Sequence, residues 1–147
     1  MNEWQFEAGD AEEMRHLGER LGRAFRAGDL VVLSGPLGAG KTTLTQGIAL
    51  GMGVEGPVTS PTFVVARVHS STKMGSDLVH VDAFRLNSLA EVEDLDLEAL
   101  ADERVTVVEW GKGMVEALSA ERIEIHIDRD SVPRRVSVES PFRDLCL

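Results

Sequence analysis

The chain is short of positive charge, of cysteine and of long apolar runs, and each shortage closes off a class of function. Fifteen Lys and Arg face 25 Asp and Glu, for a formal net charge of −10 over 147 residues. A surface that holds nucleic acid works by neutralising phosphates with Lys and Arg, so any link to tRNA or other nucleic acid is expected to be indirect, through a partner. The single cysteine, Cys146, excludes an internal disulfide and suits a reducing compartment. No apolar run is long enough to span a bilayer, and the opening Met1-Asn2-Glu3-Trp4-Gln5-Phe6-Glu7 is acidic without an apolar h-region. The expectation is a soluble, unexported, cytoplasmic protein with no membrane partner. Repeats, low-complexity tracts and domain-separating linkers are absent as well, so residues 1–147 are read as one domain.

What is present is a phosphate-binding pattern. Gly35-Pro36-Leu37-Gly38-Ala39-Gly40-Lys41-Thr42 fits G-x-x-x-x-G-K-[ST] in full, which chance would place in roughly one chain in two hundred of this length at average composition. Glycines let successive backbone N–H groups turn inward around phosphates, Lys41 adds a point charge, and the Thr42 hydroxyl suits Mg²⁺. The context agrees. Leu30-Val31-Val32-Leu33 reads as a buried parallel strand, and Thr43 to Leu50 as the helix whose N-terminus faces the phosphates. Pro36, Leu37, Gly38, Ala39, Gly40, Lys41, Thr42 and Thr43 are therefore the expected nucleotide-binding residues.

The rest of the chain supplies a frame. Trp4 and Phe6 alternate with polar neighbours as in an edge strand, and Met14, Leu17, Leu21, Ala24 and Phe25 recur at helical spacing after Asp10, a candidate N-cap. Thr62 to His69, Leu78 to Val81 and Val105 to Val108 read as strands, and Leu89 to Ala101 as one or two short helices. Ile123, Ile125 and Ile127, then Val136 and Val138, alternate with polar residues, which predicts an antiparallel hairpin turning through residues 129–133. The fold expected is α/β, a largely parallel sheet with antiparallel additions.

A phosphate loop needs a metal-holding acid and a group to place the attacking oxygen. Asp82 closes Leu78-Val79-His80-Val81 and Glu109 closes Val105-Thr106-Val107-Val108, and parallel strands deliver both acids to one edge. Lys41, Asp82 and Glu109 are the candidate catalytic residues, and Thr42, Asp82 and Glu109 the candidate metal ligands. His80, inside an apolar run, reads as a satisfied core or edge histidine rather than a base or ligand. Thr59-Ser60-Pro61-Thr62-Phe63 stands where nucleotide-sensing segments lie in many NTPases, although Ser-Pro-Thr also makes an ordinary turn. Arg85 suits either phosphate charge or a structural ion pair, and Trp110 either a core position or the site. The acids from Glu91 to Glu103 form a solvated face or a docking surface for a basic partner.

Four ordered motifs, Gly-Pro-Leu-Gly-Ala-Gly-Lys-Thr-Thr (35–43), Ser-Pro-Thr-Phe (60–63), His-Val-Asp-Ala-Phe-Arg-Leu (80–86) and Val-Glu-Trp (108–110), resemble the TsaE family, bacterial ATPases of tRNA threonylcarbamoyladenosine synthesis. The resemblance covers nearly the whole chain. It implies a P-loop NTPase-like three-layer sandwich that binds ATP and Mg²⁺ and supports TsaB- and TsaD-like proteins. It also implies Arg135 as a lining of the nucleotide site. Two positions depart from the family pattern: Phe84 stands where many relatives have Tyr, and Met14 where some have Thr near the base. The rival class is a small-molecule P-loop kinase, but the stretch that could serve as its lid, Leu89 to Arg104, is acidic and would repel a transferring phosphate. A GTPase is disfavoured, since no Asn-Lys-x-Asp or Thr-Lys-x-Asp is present to read guanine.

Overall fold

Trp4 and Phe6, spaced two apart among polar residues, give the first strand, β1 (Asn2–Ala8), one half-buried face and one exposed face. The computed structural model describes residues 2–35, 40–54, 66–69, 77–82, 104–109, 122–128, 130, 132–140, 144–145 and 147, with backbone alone at 66–69 and 81–82. The first helix, α1 (Ala11–Ala24), starts where the sequence places its cap. Asp10 is extended and its carboxylate accepts from the Glu13 N–H at 2.8 Å, while Glu13 reaches back to accept from the Gly9 N–H at 2.6 Å. One orphan donor of the first turn and the N–H just before the cap are thus satisfied reciprocally, in the manner of a capping box. The helix ends at Phe25, extended again, after a buried stripe of Met14, Leu17, Gly18, Leu21 and Gly22.

A turn through Gly28 and Asp29 leads into β2 (Leu30–Ser34), and α2 (Lys41–Met52) begins at the lysine of the phosphate-binding sequence pattern. Four further strands are β3 (Ala66–His69), β4 (Leu78–Asp82), β5 (Val105–Glu109) and β6 (Ile123–Asp128), and β7 (Arg134–Ser140) completes the set. They form one seven-stranded sheet in the order β1-β7-β6-β2-β5-β4-β3. The inner strands β6, β2, β5 and β4 are parallel. Antiparallel pairing occurs at both margins: β7 on β6, β1 on β7, and β3 on β4. The expected hairpin is therefore present, with its first strand doubling as a member of the parallel core. The antiparallel direction of β3 goes beyond the sequence reading, which expected a strand there without an orientation.

Side-chain alternation divides the sheet into two buried faces. Val31, Leu33, Leu78, Val105, Val107, Ile123, Ile125, Ile127, Val136 and Val138 join the α1 and α2 side chains in one core cluster. The intervening Leu30, Val32, Val79, Thr106 and Val108 are buried too. Burial on both faces is the condition of a parallel sheet covered on both sides, and it explains why these strands read as continuous apolar runs.

The two helices approach to backbone distance. A Cβ on Gly18 would meet the Leu44 carbonyl oxygen, and one on Gly47 the Arg15 carbonyl oxygen; Gly22 and Gly51 repeat the arrangement one turn on, against Ile48 and Glu19. Helix propensity alone disfavours these glycines. The close crossing is what requires them, and it fixes the position of α2, and with it Lys41, against α1.

Candidate functional site

β2, β4, β5 and β6 all end at the same edge of the sheet. The register pairs Leu33 with Glu109, Asp82 with Glu109, and Ser34 with His126, so β2, β4 and β5 end within a residue of one another and β6 runs two residues further. The chain runs from β2 to neighbours on one side, β4 and β5, and then crosses to β6 on the other. A reversal of this kind opens a crevice beyond the carboxyl ends of the strands, where ligands of open α/β sheets bind. The phosphate-binding pattern starts there, at Gly35.

Gly40 closes the pattern with φ 110°, a left-handed conformation that favours glycine, and directly precedes α2 as its N-cap. Gly40 has no side chain to cap this helix, and the first turn contains no acid. The partial positive charge of its N-terminus is therefore directed toward the crevice. Lys41 is only 7% exposed, and its Nζ donates to the Gly35 carbonyl at 2.6 Å, tying the end of the loop to its beginning. Thr42 and Thr43 are half-buried, while the Thr45 hydroxyl turns back to donate to the Lys41 carbonyl at 2.9 Å.

Beside the loop lies a cleft of about 450 Å³, lined by Asp10, Met14, Gly40, Thr43, Pro133 and Arg134 among others. A Cβ added to Gly40 would lie 3.3 Å from the Met14 methyl and 3.4 Å from an Arg134 guanidinium nitrogen. Both are ends of flexible side chains that can give by a few tenths of an ångström, so it is the left-handed backbone that favours glycine here. Here the structure distinguishes two neighbours. Arg134 shares the core-facing parity of Val136 and lines the cleft, whereas Arg135 is exposed and paired in register with Asp128 and Glu7. The resemblance pointed to Arg135; the arginine at the cleft is Arg134.

Glu109 is 3% exposed at the end of β5, and His80 on β4 is fully buried. His80 Nε2 lies 3.1 Å from Glu109 Oε2. The histidine is thus in the core, as its apolar surroundings implied, but it touches a candidate catalytic carboxylate, which the sequence reading did not foresee. The signal was present: His80 precedes Asp82 by two, so both occupy positions of the same parity along β4.

Pro36, Leu37, Gly38, Ala39, residues 59–63, Phe84, Arg85, the acidic stretch from 89 to 103 and Trp110 lie outside the described residues, as does Cys146. For Asp82 the structure gives the backbone register beside Glu109. Among the described residues no three His, Cys, Asp or Glu are grouped to hold a metal. A phosphate-bound Mg²⁺ does not need such a group, because it takes one or two protein oxygens and completes its shell with phosphate and water. Nor, among the described residues, is any helix long and apolar enough to cross a membrane.

Comparison with known proteins decides the kinship. A family model described as threonylcarbamoyl adenosine biosynthesis protein TsaE matches residues 8–136. The chain belongs to the TsaE family. A relative from Streptomyces coelicolor named tRNA threonylcarbamoyladenosine biosynthesis protein TsaE is 61% identical over 117 residues, covering 79% of each chain. One of the same name from Bacillus subtilis is 35% identical over 130 residues, covering 88% of this chain and 80% of the relative. Among solved structures, Bacillus subtilis YdiB superposes with a TM-score of 0.75 at 28% identity, over 95% of this chain and 86% of that one. This TsaE-family chain therefore shares its α/β architecture with YdiB, and its family is one of tRNA threonylcarbamoyladenosine biosynthesis.

Proposed function

We propose that this chain is a P-loop ATPase that binds ATP with Mg²⁺, hydrolyses it slowly, and serves tRNA N6-threonylcarbamoyladenosine formation through TsaB- and TsaD-like proteins. The observation that carries the reading is the junction of β2 and α2. A complete phosphate-loop sequence leaves the carboxyl end of a central parallel strand and ends on left-handed Gly40 and buried Lys41, beside a cleft of about 450 Å³. A helix N-terminus with glycine at its cap and no acid in its first turn, a buried ammonium and a cleft large enough for a nucleoside together suit a nucleoside triphosphate.

Within that reading each residue has a task. Lys41 meets the charge of the outer phosphates, and the backbone around Gly40 cradles them. Thr42 and Asp82 are the residues that would hold Mg²⁺, whose chemistry is to neutralise charge on the phosphate oxygens as the bond breaks. Hydrolysis joins a water oxygen to the terminal phosphorus while the bond to the ADP oxygen breaks, and the proton of that water needs an acceptor. Glu109, buried at the strand end, supplies the carboxylate oxygen that takes it. Arg134 extends the positive lining toward the cleft.

Calorimetric titration tests the nucleotide. ATP with Mg²⁺ is expected to bind in preference to GTP, and equal or tighter GTP binding would refute the adenine assignment. Substitution tests the division of labour: Lys41→Ala weakens triphosphate binding, whereas Glu109→Ala retains most binding and loses turnover. Hydrolysis by Glu109→Ala at the parent rate would remove that carboxylate from the mechanism.

A further inference from the structure

His80 occupies a slot that an aliphatic side chain would fill more cheaply. The positions sharing its face of the sheet nearby are Leu78, Val105 and Val107, all in the core cluster, and His80 itself has no exposed surface. Placing an imidazole among such groups costs desolvation unless its polar atoms are used. One contact it makes is with Glu109, Nε2 to Oε2 at 3.1 Å between side chains 0% and 4% exposed, an ion-pair distance without the alignment of a hydrogen bond. In the parallel register His80 faces Val107, one step along the face from the Asp82–Glu109 pair, so the ring reaches the carboxylate diagonally across the two strands.

A glutamate has three rotatable bonds, and work on a water molecule requires its carboxylate in one place. We infer that His80 is a positioning residue: its imidazole, with Nε2 against Glu109 Oε2 at ion-pair distance, holds the carboxylate so that Oε1 is presented to the attacking water. The ring itself touches neither nucleotide nor metal, and it acts only through Glu109. An attractive contact with a carboxylate oxygen requires a proton on the ring nitrogen that faces it. This inference rests on Glu109 being the carboxylate of turnover.

The test uses the full chain with His80→Leu, His80→Gln, Glu109→Ala and the His80→Leu/Glu109→Ala double variant. Single-turnover ATP hydrolysis is measured with protein in excess, alongside the dissociation constant of a fluorescent ATP analogue and the melting temperature. His80→Leu is expected to lower the hydrolysis rate about 10- to 100-fold, the scale of a misplaced catalytic group, with nucleotide affinity within about twofold of the parent. His80→Gln, which carries an amide N–H at comparable reach, should recover most of the rate. In the Glu109→Ala background His80→Leu should add no further loss, because the group it positions is gone. A readout independent of turnover is the ring N–H proton of His80 in a nuclear magnetic resonance spectrum: slow to exchange with solvent in the parent, and faster in Glu109→Ala with His80 intact.

Hydrolysis by His80→Leu at the parent rate would overturn the positioning role. Equal impairment of the Leu and Gln variants, or loss of nucleotide affinity in proportion to rate, would overturn it in favour of packing alone. Parent-rate hydrolysis by Glu109→Ala would be a different failure, seen with His80 intact, and would remove the reading on which the inference stands.

Discussion

At the scale of single residues, the site depends on side-chain parity. Arg134 and Arg135 are adjacent in sequence, yet one lines the cleft and the other faces solvent. Truncating Arg134 to Ala is expected to weaken ATP binding by about 1.5–3 kcal/mol, the range of a hydrogen bond to a charged group and a factor of roughly 10–150 in affinity. Arg135→Ala should bind nearly as the parent does. Calorimetry on the two variants separates them, and a larger effect from Arg135 would return the role to the residue that family resemblance suggested. The alternation of Val136 and Val138 already sets Arg134 and Arg135 on opposite faces, but which face meets the cleft follows only from how the strand pairs and packs. The His80–Glu109 contact escaped for a related reason: it joins two strands 29 positions apart in sequence, from 80 to 109, and only their pairing brings the side chains together.

At the scale of elements, the crossing of α1 and α2 is the feature most exposed to perturbation. A methyl group at Gly47 runs into the backbone of α1 at Arg15, and backbone cannot move aside as a side-chain tip can. Gly47→Ala is therefore expected to destabilise the fold by about 1–3 kcal/mol despite the higher helix propensity of alanine. Urea denaturation measures this as a lower midpoint. A midpoint at or above the parent value would mean that the helices separate without cost. Most elements were legible in advance: the Asp10 cap, the helical stripe of α1, the apolar runs of β2, β4 and β5, and the alternation of β6 and β7 each have a local cause. Strand order and the reversed direction of β3 were not legible, since they arise from pairing between segments distant in sequence. The glycines of α1 and α2 looked unfavourable in isolation and made sense only once each helix had a neighbour.

At the scale of the whole molecule, the charge of −10 limits what the chain can do alone. Non-specific RNA binding draws its strength from released counterions, and too few cations are present to release them. The isolated protein is expected to bind tRNA weakly or not at all at physiological salt; tight binding in a gel-shift assay would contradict this. Lys41 and Arg134 are the cations that the described residues place at the loop and cleft. A positive group supplied in trans raises phosphoryl-transfer rates by about 10³–10⁵ in systems built this way, so slow turnover alone and acceleration by the partner complex are expected together. If ATP tightens the assembly, the assembly must tighten ATP by the same factor.

The central claim is that the phosphate loop is what makes this chain serve threonylcarbamoyladenosine formation. The most direct measurement is the yield of the modified nucleoside over many turnovers, in a reaction containing tRNA, the TsaB- and TsaD-like proteins, the threonylcarbamoyl donor, ATP and Mg²⁺. Parent protein and Lys41→Ala are added in parallel at equal concentration, after melting curves have shown both to be folded. The account predicts that the parent sustains product formation and that Lys41→Ala leaves the yield near that of the reaction without this chain. Equal yields with parent and Lys41→Ala would contradict it.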